Sequence, residues 1–86
     1  MSSERIDWSR LRSLTTRQLG NALIRDGFVL LRRFGAHKHF RHPVSRRVTV
    51  FYHGSGDTFT IKTLKSMIEL QARWTEDDLT RLGLLR

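Results

Sequence analysis

Residues 28–52, "FVLLRRFGAHKHFRHPVSRRVTVFY", decide the fold, because three runs of strand-forming residues are parted by two short turn signals. "FVLLRRF" favours a strand, Gly35-Ala36 is short enough to reverse the chain, and "HKHFRH" runs back as the second arm of a hairpin. Pro43 to Arg47 makes the next turn, and "VTVFY" is the strongest strand former in the chain. Three antiparallel strands are predicted.

Upstream, "TTRQLGNALIRDGF" predicts a helix with Thr15 as N-cap, Gln18 as its capping-box partner and Gly27 as the stop. Leu19, Ala22 and Leu23 share one face of it, which needs a sheet to cover. Downstream, "HGSGDTFT" reads as a loop, and Thr63 is the expected cap of a helix carrying Leu64, Met67 and Ile68. Thr75 and Asp78 form a second box, opening a short last helix that Gly83 ends. The predicted class is α+β: a three-stranded antiparallel sheet with its helices on one face and the other face open to a ligand. Residues 1–14 form an N-terminal extension whose docking the sequence leaves open, although Trp8, Leu11 and Leu14 are spaced along one side of a short helix. Residues 15–86 make a single domain, with no repeat, low-complexity segment or linker inside it.

A chain of 86 residues has a small core, burying only about 60% of the surface its unfolded form exposes. With no cysteine it has no disulfide, no thiolate metal site and no cysteine nucleophile. The charged N-terminus has no apolar signal region, and no run approaches the roughly 18 apolar residues of a membrane span, so a cytoplasmic protein without membrane contact is expected. The net charge of +8 is unevenly spread. From Gly27 to Gly56 there is no acid, and this stretch carries Arg32, Arg33, Lys38, Arg41, Arg46 and Arg47 together with all four histidines. Such a field attracts a polyanion, for which nucleic acid is the usual candidate, and an acidic protein partner is the other.

Strand alternation places His37, His39 and Arg41 on one face of the second strand and Lys38, Phe40 and His42 on the other. With Phe40 in the core, the first set faces solvent, beside Arg32 or Arg33 from the paired strand. Three readings of this surface stand side by side. A metal could be chelated by His37 and His39 with His42 or His53 as third ligand, but no carboxylate or thiolate lies near in sequence and the positive field repels a cation. The histidines could instead be ordinary surface groups on a nucleic-acid-binding sheet. In the catalytic reading, a histidine with an ordinary pKa of about 6.5 takes the proton from a ribose 2′-hydroxyl while neighbouring cations stabilise charge on phosphate oxygens. That chemistry needs no metal and no cofactor.

"LIRDGFVLLRRFGAHKHFRHPVSRRVTVFYHGSGDTFTIKTLKSMI" resembles the HicA family of toxin ribonucleases. The shared pattern is a helix ending in Gly-Phe, an arginine in the first strand, a Gly-Ser-His signature with an aromatic three residues on, a His-Pro turn, a "VTV" strand closed by histidine, and a Thr-Leu helix start. The resemblance covers roughly residues 15 to 82. It implies a fold similar to double-stranded RNA-binding domains, of order α-β-β-β-α, metal-independent cleavage of mRNA, and a HicB-type antitoxin that covers the active face. It places the catalytic histidine on His37, the preceding glycine on Gly35 and the histidine after the third strand on His53. Arg32, Arg33, Lys38, His39 and Arg41 become the RNA-binding candidates, with Gly35 and His53 in support and no metal ligands. Ala36 stands where the family usually has serine, and Phe51 where a proline is common. The alternative function is a non-catalytic RNA-binding module on the same fold.

Overall fold

The computed structural model describes residues 6–43, 46–51, 54 and 56–85. A 3-10 turn, Trp8–Leu11, leads into helix α1 (Thr16–Arg25), followed by strands β1 (Val29–Phe34), β2 (His37–Arg41) and β3 (Arg47–Phe51). Helix α2 (Ile61–Lys65) continues directly as a π-helical segment, Ser66–Gln71, and helix α3 (Glu76–Arg81) ends the fold. The strands form one antiparallel sheet in the order β1-β2-β3, so the expected α+β architecture is the one observed.

Both predicted capping boxes are present. Thr15 and Gln18 cap each other's backbone at the start of α1, and Thr75 and Asp78 do the same for α3. These pairs satisfy N–H groups that have no partner inside the helix. Gly27 and Gly83 take φ +97° and +78° just past α1 and α3, a backbone region that side chains other than glycine resist. The second helix starts earlier than predicted: Thr60, not Thr63, is the N-cap, and its hydroxyl accepts from the Thr63 N–H at 3.2 Å. Two threonines three residues apart both satisfy the cap preference, and the one that lets Ile61 pack against the core is used.

Phe40, Val48 and Val50 project from the sheet into a core with Leu19, Ala22 and Leu23 of α1 and Leu64, Met67 and Ile68 of the second helix. Trp74 and Leu79 are buried in the same core. Ile6, Leu11 and Leu14, ahead of α1, are buried in the same cluster. The π-helical turn at Ser66–Gln71 re-aims the helix so that Gln71 reaches the free edge of β3, where its Oε1 accepts the Thr49 N–H at 2.9 Å. One side-chain amide thus takes the place of a fourth strand at that point.

Candidate nucleic-acid interface

With the helices on one side, the other side of the sheet is a small grid. Its three rows across the strands are Val29, Arg41 and Arg47; then Arg32, His39 and Thr49; then His37 and Phe51. A β-bulge sets this arrangement. The pairing of β1 with β2 slips between Leu30 and Arg32, so that Leu31 has no partner of its own. Leu30 therefore opposes the core residue Phe40, while Arg32 opposes His39. Arg33 pairs with Lys38, and Lys38 with the buried Val50. Of the predicted cations, Arg32, His39 and Arg41 thus share the open face with His37, while Arg33 and Lys38 belong to the opposite side of the sheet.

His37 begins β2 directly after the two-residue Gly35-Ala36 loop. Gly35 has φ +60° and no atom within 4 Å of where a Cβ would sit, so glycine serves the turn geometry there and not a close approach. Only the first loop position has positive φ, the pattern of a type II′ hairpin. The His37 side chain is exposed and lies 4.5 Å, ring centre to ring centre, from Phe51. It also stacks at 6.4 Å on His39, the two planes being inclined by 20°. His39 is half-buried, with Nδ1 hydrogen-bonded to the Thr49 hydroxyl at 3.1 Å, which fixes its ring against the sheet. Among the described residues no three His, Cys, Asp or Glu side chains gather as a metal site would require.

Arg47, which pairs with the predicted Arg41, was not anticipated as part of the site. These two exposed arginines face each other across β2 and β3, an arrangement of like charges that destabilises a bare sheet and favours a bound anion. Strand alternation from Thr49 would have placed Arg47 there.

Other basic residues of the acid-free stretch have structural partners. Arg46 donates to the Ala72 carbonyl at 2.8 Å, lies 3.9 Å from the Asp26 carboxylate and covers the Phe28 ring at 5.3 Å. Asp26, at the end of α1, accepts from the Trp74 indole at 2.7 Å and from Arg81 at 2.8 Å. Burial pushes the Asp26 carboxyl up, but the Trp74 and Arg81 hydrogen bonds and the charges of Arg81 and Arg46 outweigh it and hold it below its ordinary value. Asp78 is lowered in the same way: the Thr75 and Arg81 hydrogen bonds overcome its burial. His42, considered as a third metal ligand, packs edge-on against Phe28 at 5.0 Å with Nε2 at 3.2 Å from the Asp26 carbonyl. It belongs to this structural cluster, at the opposite end of β2 from His37. His53 lies outside the described residues.

A family model described as "HicA toxin of bacterial toxin-antitoxin" matches residues 16–72, more than half of the chain. No curated protein matches it. The matched span begins at α1 and ends at the Gln71 edge contact, so it contains the whole sheet and both of its faces.

Proposed function

This chain belongs to the HicA family of bacterial toxins, and from that membership we propose that it is an mRNA-cleaving endoribonuclease whose base is His37. The observation that carries the reading is the position of His37: an exposed imidazole at the turn end of a hairpin, on the same open face as Arg32, His39, Arg41 and Arg47. His37 takes the proton of a ribose 2′-hydroxyl. The freed oxygen bonds to the adjacent phosphorus, the bond from phosphorus to the 5′-oxygen breaks, and that oxygen takes a proton from solvent, to which His37 returns the one it accepted. The products are a 2′,3′-cyclic phosphate and a 5′-hydroxyl. Cations at Arg32, Arg41 and Arg47 hold the phosphates of the strand, and His39 supports the charge that gathers on the non-bridging oxygens.

A positioned histidine contributes a factor of about 10² to 10⁴. The test is His37→Ala, which should lower RNA cleavage by that factor and relieve cell toxicity while RNA binding and thermal stability persist. Undiminished cleavage, or cleavage stopped by a chelator, would overturn the assignment.

The partner is an antitoxin of the HicB type, acting where mRNA is, in the cytoplasm. It should bring acids and apolar side chains to the His37 face, because Val29 and Phe51 there are 56% and 45% exposed beside the arginines. An inhibitory complex that leaves His37 open to solvent would count against occlusion. A second reading, an RNA-binding module without catalysis, draws on Ala36: next to His37 it lacks the hydroxyl that the family usually has there. Binding without cleavage by the unaltered chain would select it.

A further inference from the structure

We infer that the cleft beside His37 is a base pocket that selects guanine next to the scissile phosphate, an inference that rests on the RNA-cleaving reading above. The cleft, about 420 Å³, is lined by Phe51, Asp57, Thr58, Phe59, Thr60 and Thr63. Its size lies within the range of small-molecule sites, about 300–1,000 Å³. Phe51 belongs to both places: it forms one wall of the cleft, and its ring centre is 4.5 Å from that of His37. A base held there has its ribose and phosphate beside the imidazole. Phe51 and the half-buried Phe59 offer the aromatic surface on which an unstacked RNA base settles.

Asp57 gives the pocket its specificity. It is the first acid after Asp26 in the sequence, so it interrupts an otherwise cationic surface. A carboxylate there repels phosphate and adds nothing to backbone binding. It only accepts hydrogen bonds, and the ion pairs among the described residues use Asp26 and Asp78, not Asp57. Guanine presents N1–H and N2–H side by side, one for each carboxylate oxygen. Adenine and cytosine place an acceptor nitrogen beside their amine, and uracil flanks its single N–H with carbonyls, so each sets a lone pair against the second oxygen.

The loop that carries Asp57 is held before any ligand arrives. The Asp57 carbonyl accepts from the Thr16 N–H at 2.8 Å, and its own N–H donates to the Gly54 carbonyl at 3.1 Å. The Thr16 hydroxyl, 1% exposed, also donates to the Gly54 carbonyl at 2.6 Å, and Thr58 bridges to Thr15. The first turn of α1 therefore clamps one wall of the cleft, as a selective site needs. On the far wall the Thr60 hydroxyl is engaged with Thr63, which fixes the entry to α2.

The test is equilibrium binding of labelled RNA hexamers by the His37→Ala chain, with one position varied among guanosine, inosine and uridine. Guanosine should bind roughly 5- to 100-fold more tightly than inosine, which lacks the N2 amine, and more tightly than uridine by at least as much. Adding Asp57→Asn should bring guanosine and inosine to within about twofold. Hexamers bound equally whatever the base, or a preference unmoved by Asp57→Asn, would overturn the pocket while leaving the RNA-cleaving reading intact. Hexamers that do not bind at all would overturn both. The guanosine-to-inosine ratio is read on a chain that keeps Asp57, so a ratio near one overturns the pocket even where Asp57→Asn fails to fold.

Discussion

The helix-covered side and the open side of the sheet treat charge in opposite ways. On the covered side, where β1 starts and β2 finishes, Asp26 gathers Trp74, Arg81 and Arg46, and His42 reaches the Asp26 carbonyl, so these cations have protein partners. On the open side, His37 stands exposed beside Phe51 at the hairpin, and the same face carries Arg32 and the opposed Arg41 and Arg47. The same acid-free stretch of sequence supplies both. Its positive charge is thus of two kinds, one that holds helices to the sheet and one left to meet a ligand, and only the folded positions tell them apart.

The sharpest way to break this comparison is to alter one side and read the other. His37→Ala should lower cleavage of RNA by about 10²- to 10⁴-fold and leave the melting temperature unchanged. Asp26→Ala should do the reverse: by stranding the Trp74 indole and Arg46 it should cost about 2–4 kcal/mol in denaturant unfolding, with cleavage per folded molecule little altered. A catalytic loss from Asp26→Ala in fully folded protein would join the two sides into one site.

Acid should act on the structural side. Because the Asp26 and Asp78 carboxyls are held below their ordinary value, the stability they contribute is complete above the usual carboxylate range, about pH 4. It is lost as the pH falls through their lowered values. Unfolding followed downward from pH 5 should show this limb, and Asp26→Asn should flatten it.

Smaller effects sharpen the contrast. Gly35→Ala forces an L side chain into positive φ, costing roughly 1–2 kcal/mol, and it should disturb cleavage as well because His37 follows two residues on. The salt dependence of RNA binding should have a slope of about −2 to −3.5 for three to five phosphate contacts on a single strand. Arg47→Ala should make that slope shallower by about 0.7. Arg46→Ala, in the next residue, should lower stability and leave the slope alone. Equal effects of the two on the slope would erase the distinction between committed and available charge.

Much of this architecture is legible in the sequence, because caps and turns act over three or four residues. Thr15 with Gln18, Thr75 with Asp78, and Gly35 between two strand-forming runs each carry their own signal. The choice between Thr60 and Thr63 is not local, since it depends on which start seats Ile61 against the core. The bulge at Leu31 exists only in the pairing of two strands, and without it the sequence cannot say whether Arg32 or Arg33 joins His39. The Asp26 cluster joins residues up to 55 positions apart. Its one sequence cue is an acid at the end of a helix, where the helix dipole disfavours negative charge and a compensating partner is therefore implied. Strand parity puts His37 and His39 together on the open face as candidates, and only the family resemblance singles out His37. Arg47 is hidden by its neighbour Arg46, the two being consecutive arginines of opposite fate.

Leu31 also bears on how the protein survives at high concentration. β1 is an edge strand, and "VLLRRF" is rich in the residues that template stacking of one chain on another. A straight edge of this composition invites identical copies to add on, strand by strand, toward insoluble fibres. The extra residue breaks the even spacing of backbone donors and acceptors along that edge, and an incoming copy meets a kink instead of a matching row. Removing Leu31 keeps every other pairing of β1 with β2 in place and restores the straight edge. The chain that results should fold to the same sheet and come out of solution sooner.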